Sequence, residues 1–250
     1  MTALTVLRVL AGAAVVGLAV LLARLLLHRQ ALAGRARAAW TAVAVIELAM
    51  IAGYLHAETL ALVTVVRPDA SAWMEHRRAL YNPVYYLNAV LIAALPALLM
   101  RVLSGDLRVR AAGATLAAAI AIAGVGGFLL GATSSWPGLL GWTRAFTLAG
   151  IAGYLTVWAL VAVERLPAMD VYLAAFLLMR TLYEIVKPVQ ELFFQEFTAA
   201  EAASIWHLHL FLQLLQRLGM IGAVAMLLSA VRRGRPPRTI LAARPTTLHS

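Results

Sequence analysis

The chain has 250 residues, of which 63% are hydrophobic and only 13% charged, with a mean hydropathy of +0.85. Soluble domains carry roughly 25% charged residues, so these numbers exclude a water-soluble globular fold. The net charge of +10 comes from 21 basic against 11 acidic residues, and Lys187 is the only lysine. The arginines are spread over short loops and the C-terminal tail, where anionic lipid and control of insertion account for them, so the bilayer is the expected partner and nucleic acid is not. Cysteine is absent, which excludes disulfides, thiolate metal sites and cysteine nucleophiles.

Crossing a bilayer takes about 20 consecutive apolar residues. By that measure the sequence predicts seven transmembrane helices, at about 3–27, 38–65, 83–103, 110–132, 142–163, 171–194 and 203–231. The expected fold class is all-α, a polytopic bundle of seven helices over residues 1–231 followed by a basic, proline-containing tail over 232–250. The first run is too long for the apolar part of a signal peptide and its basic cluster follows it, so it reads as a retained helix.

Orientation follows from the arginines. Arg24, Arg29, Arg35, Arg37, Arg101, Arg108, Arg110, Arg165, Arg232, Arg233, Arg235, Arg238 and Arg244 fall on one side, against Arg8, Arg67, Arg77, Arg78 and Arg144 on the other. The excess of positive charge predicts a cytoplasmic C-terminus and an outside N-terminus, in a cell membrane. Tyr81, Tyr85, Tyr86, Trp136, Trp142 and Trp206 then fall near outer helix ends, as an aromatic belt. In the fourth span, Gly124, Gly126, Gly127 and Gly131 predict close helix packing.

The sixth span holds Arg180, Glu184, Lys187 and Glu191 at spacings of four, three and four. At 100° per residue they share one helix face within about 60°. Each costs roughly 2.5–3.5 kcal/mol at the bilayer centre, so the stripe must face protein, water or opposite charge. Alternating signs allow i,i+3 and i,i+4 pairs, and Pro188 frees the Glu184 carbonyl. Tyr183 and Gln190 flank the same face.

Two other spans offer partners. The second carries Glu47, Tyr54 and Glu58 on one face, and Glu47–Arg180 is the expected pair. The seventh carries His209, Gln213 and Gln216 on a face, with Arg217 at its margin. His56, His207 and His209 fall in the outer half, where imidazoles serve as haem or metal ligands. His207 and His209 are two apart on a helix, however, and hydrogen-bonding histidines are the simpler reading. Lys187 raises the question of retinal, but it lies in the sixth rather than the last span, and the third span lacks a carboxylate counterion.

These features predict ion- or proton-coupled transport or energy conversion, with Glu184, Lys187 and Glu191 carrying the ion or proton and Glu47 and Arg180 coupled. His209, Gln213 and Gln216 would line the opposite wall with Tyr54, Glu58 and Arg217. The alternatives are a non-catalytic subunit partnered by other membrane subunits, holding a quinone or haem through His56 and His207, and an intramembrane enzyme acting on a lipid-like substrate at the outer face. No cofactor is assigned, and the motifs of soluble hydrolases and nucleotide-binding enzymes are absent.

Overall fold

In the computed structural model, backbone is described for residues 3–66, 71–133, 136–193, 199–235 and 239–240, and side chains for 6–55, 83–130, 141–186, 208–235 and 239–240. The described residues form seven α-helices: α1 (Ala3–Leu27), α2 (Gly34–Val66), α3 (Ser71–Leu103), α4 (Leu107–Thr133), α5 (Trp136–Ala162), α6 (Val171–Phe193) and α7 (Ala199–Arg232), with a short 3-10 turn at Arg29–Ala31. Six of them contain stretches long and apolar enough to cross a membrane: Val6–Leu27, Gly34–Leu55, Pro83–Leu103, Leu107–Leu130, Gly141–Ala162 and Leu208–Arg232. This is the signature of a multi-pass membrane protein, in which intrahelical bonding satisfies the backbone where no water is present.

Helix boundaries follow the apolar runs, with earlier starts at α3 and, by six residues, at α5. α3 begins at Ser71 rather than at Pro83, and carries both Pro83 and Pro96 inside it. Proline breaks one backbone bond, yet in an apolar bundle the neighbouring helices hold the chain helical on either side of it.

The helices close into a ring. α1 packs on α2, α2 on α3, α3 on α5, α5 on α6, α6 on α7 and α7 back on α1, while α4 lies outside the ring against α3 and α5. α1 shows the pattern that builds it: Ala11, Val15, Leu18, Leu22 and Leu25 are buried at alternating spacings of four and three, whereas Val9, Val16 and Val20 are exposed. That is a seam on a helix apolar all round, as expected where the outer face meets lipid. In α4, a Cβ on Gly127 would lie 2.6 Å from the Tyr86 hydroxyl and 3.0 Å from the Trp142 ring. The glycine stripe therefore serves packing within this bundle at Gly127; the Gly131 side lies outside the described residues. Tyr86 turns inward, donating to the Gly124 carbonyl at 2.7 Å and standing edge-on to Phe146.

The loops after α1, α3 and α5 and the start of the tail meet at one end, here termed the basal end. Arg165 pairs with Asp106 at 2.7 Å, the Ser104 hydroxyl donates to the Arg165 carbonyl, and Gly105 adjoins Arg35 and Pro167. Gly234, at φ +65°, ends α7 in the left-handed turn that lets the Arg235 N–H reach the Ala230 carbonyl. The chain then returns to the bundle, where the Ile240 N–H donates to the Met169 carbonyl and Thr239 bridges to Asp170.

Asp170 holds α6 to α2. Its Oδ1 accepts from the backbone N–H groups of Tyr172 and Leu173, the N-cap pattern, and its Oδ2 accepts from Trp40 Nε1 at 2.8 Å. Burial pushes its carboxyl above the usual value, and the three donated bonds pull it back only in part. Folding thus favours the protonated form: the stability this group adds is present below the ordinary aspartate value and is lost as pH rises through the raised one. Asp170→Asn removes the charge and keeps one acceptor, enough for the cap but not for the Trp40 indole as well, so it should remain folded, somewhat less stable, with its pH dependence flattened. Asp170→Ala loses the cap and orphans the indole N–H, an expected cost of about 2–3 kcal/mol. Thermal unfolding of the purified protein at pH 5 and pH 8 compares the three.

Candidate functional site

The buried face of α2 repeats through Trp40, Val43, Ala44, Glu47, Met50 and Ile51, and that of α6 through Leu173, Phe176, Leu177, Arg180, Thr181 and Glu184. The helical period therefore turns Glu47, Arg180 and Glu184 inward with their apolar neighbours. Glu47 stands about 20 Å from the start of α2 and Glu184 at a similar height on α6, near the middle of a ~30 Å apolar layer.

There they meet. Arg180 Nη1 lies 3.5 Å from Glu47 Oε2, and Nη2 lies 3.2 Å from Glu184 Oε1 and 3.1 Å from Met50 Sδ. Glu47 and Glu184 are 2% and 1% exposed, a depth at which an unpaired charge is costly. Among the described residues, five buried polar side-chain atoms have no hydrogen-bond partner: Glu47 Oε1, Glu184 Oε2, Arg180 Nε, the Tyr154 hydroxyl and Gln216 Nε2. The first three belong to the cluster, and Tyr154 on α5 adjoins Arg180 without hydrogen-bond geometry. Such a concentration of unsatisfied groups is uncommon in folded proteins.

A second polar group lies further from the basal end. Tyr54 is seven residues beyond Glu47, roughly 10 Å along α2. Its hydroxyl donates to Gln213 Oε1 at 3.4 Å, Gln213 Nε2 donates to the Tyr183 hydroxyl at 2.8 Å, and that hydroxyl lies 3.4 Å from His209 Nε2. The Arg217 guanidinium stacks over the Tyr54 ring at 4.2 Å, a cation–π contact that shelters the charge. Below the cluster the bundle is apolar: Trp40 stands edge-on to Phe176 at 5.8 Å, among fully buried Leu173, Leu177 and Leu99.

Of the residues singled out in the sequence, Glu47, Arg180 and Glu184 form one cluster, and Tyr54, Tyr183, His209, Gln213 and Arg217 form the adjoining group. Gln216 is buried on the same stripe of α7. The side chains of His56, Glu58, Lys187, Gln190, Glu191 and His207 lie outside the described residues. Among the described residues no group of three or more histidines and carboxylates is placed to hold a metal. Sequence reasoning passed over Tyr154, Met50 and Trp40, which are single residues in apolar runs with no partner at helical spacing. Asp170 did carry a signal, an Asp immediately before an apolar helix.

No protein-family model matches the chain, and no curated protein or solved structure matches it. The functional reading rests on the cluster itself.

Removing one member of a buried ion pair strands the rest. Arg180→Met should cost about 3–5 kcal/mol, because two carboxylates then share the interior without a cation. The triple variant Arg180→Met/Glu47→Gln/Glu184→Gln should recover a large part of that loss, measured by thermal unfolding in detergent. Equal losses in both would show that the three residues do not act as a unit.

Proposed function

We propose that the chain is a seven-span membrane protein that works in ion- or proton-coupled transport or energy conversion through the charged face of α6. The helices ending at the basal end bring Arg24, Arg29, Arg35, Arg37, Arg101, Arg108, Arg110, Arg165, Arg232, Arg233 and Arg235 to that side, which supports a cytoplasmic basal end and an outside N-terminus in a cell membrane. α6 is read as the sixth crossing, with Arg180 and Glu184 turned inward toward Glu47 of α2 and Tyr154 of α5.

The observation that carries the reading is the Glu47–Arg180–Glu184 cluster with its unsatisfied atoms. Apolar residues of similar volume would hold helices together as well or better, so a buried ion-pair cluster is a poor device for stability alone. Intramembrane ionisable residues mark ion and proton routes, which need groups that can change partners. By sequence spacing, Lys187 and Glu191 fall in register with Arg180 and Glu184 on α6.

Purified protein reconstituted into vesicles with a pH-sensitive dye tests this. A flux driven by an ion or pH gradient is expected, reduced in Glu184→Gln and Lys187→Met. No flux, or flux that neither variant alters, would overturn the proposal.

A further inference from the structure

We infer that the occupant of this site is a proton, taken up on the carboxyls of Glu47 and Glu184 and, in the conformation seen here, exchanged with the outer end of the bundle only; this rests on the transport reading and names its cargo. Within contact distance, two carboxylates share one guanidinium, leaving one negative charge in excess. The next cation, Arg217, is engaged with Tyr54 and makes no ion pair with a carboxylate among the described residues.

The unpartnered atoms say what would relieve that excess. Glu47 Oε1 and Glu184 Oε2 are acceptors without donors, on side chains almost wholly removed from water. Protonating either oxygen cancels the charge and turns an unsatisfied acceptor into a donor. A metal cation would need a shell of about six oxygens. The described residues supply two free carboxylate oxygens and a phenol, and no third acid or histidine. Among the described residues that falls well short of such a shell, whereas a proton needs a single oxygen.

The surroundings give the direction of exchange. The titratable and charged groups facing the cluster are Tyr54 on α2, Tyr154 on α5, Tyr183 on α6, and His209 and Arg217 on α7. α1 and α3 bring apolar groups to the same core, among them Val15, Leu18, Ile92 and Leu95. Tyr183, Gln213 and His209 form a hydrogen-bonded file leading away from the basal end, whereas Trp40 and Phe176 close the basal side. Loading forms one O–H bond on a carboxylate oxygen, with the proton supplied by water at the outer end; release reverses it, and nothing is oxidised or reduced.

Infrared difference spectra of the full chain, in vesicles selected for one orientation, test this with a pH step applied to one face at a time. Acidifying the outer face should raise a protonated-carboxyl C=O band that shifts in D2O, is lost in Glu47→Gln or Glu184→Gln, and is shifted in Glu184→Asp. A step on the tail side should leave it unchanged. Absence of the band from the unaltered protein, or a response to the tail-side step, overturns the inference whether or not the variants fold. A carboxyl band in a protein that moves no ion keeps the proton site and removes the transport reading; ion flux without the band does the reverse.

Discussion

One guanidinium between two carboxylates, in the middle of an apolar bundle, constrains everything around it. A charge in such surroundings is tolerated only with an opposite charge in contact, and contact requires α2 and α6 to approach at one height and one rotation. Arg180 reaches Glu184 along its own helix, but it reaches Glu47 only if α2 turns the face of Trp40, Val43 and Met50 toward α6. A rotation of either helix by one residue, 100°, would leave the charges facing hydrocarbon. The ion pairs thus select the packing, whatever they contribute to net stability.

The basal end supplies the complementary restraint. Asp170 caps α6 and binds the Trp40 indole, so the two helices are tied at their base by a polar contact and at mid-height by the ion pairs. Two ties on one pair of helices fix both rotation and register. Between them, Phe176 and Trp40 fill the space with aromatic rings and leave no polar step from one tie to the other. The interior is therefore divided along its axis into a basal half packed mainly with apolar and aromatic side chains and an upper half containing Gln213, Tyr183, Tyr54 and His209.

α4 shows what a helix without such a constraint looks like. It contributes Gly124 and Gly127 as a surface for Tyr86 and Trp142, and exposes Ile122, Val125 and Leu129. Its small residues let it fit closely against α3 and α5, where Ile120 joins a separate buried cluster with Tyr86 and Phe146.

Much of the fold was legible in the sequence, because spanning length and hydropathy are local quantities: seven runs became seven helices, six of them long and apolar enough to cross a membrane, with boundaries within about four residues except at the starts of α3 and α5. The Glu47–Arg180 pair was legible for a related reason, since a bilayer interior offers buried charges few partners, and these two stand at matching depth. Tyr86 went the other way, buried against Phe146 rather than facing an interface. Composition and spacing determined the fold class, the helices and the inward face of α6, because each depends on periodicity within one segment. Only the tertiary structure decided that Tyr154 and Met50 join Arg180, that Asp170 binds Trp40 and that Trp40 stacks edge-on against Phe176 below the cluster. Those contacts join residues as many as 130 positions apart, and the packing of one helix on another is not written in either helix alone.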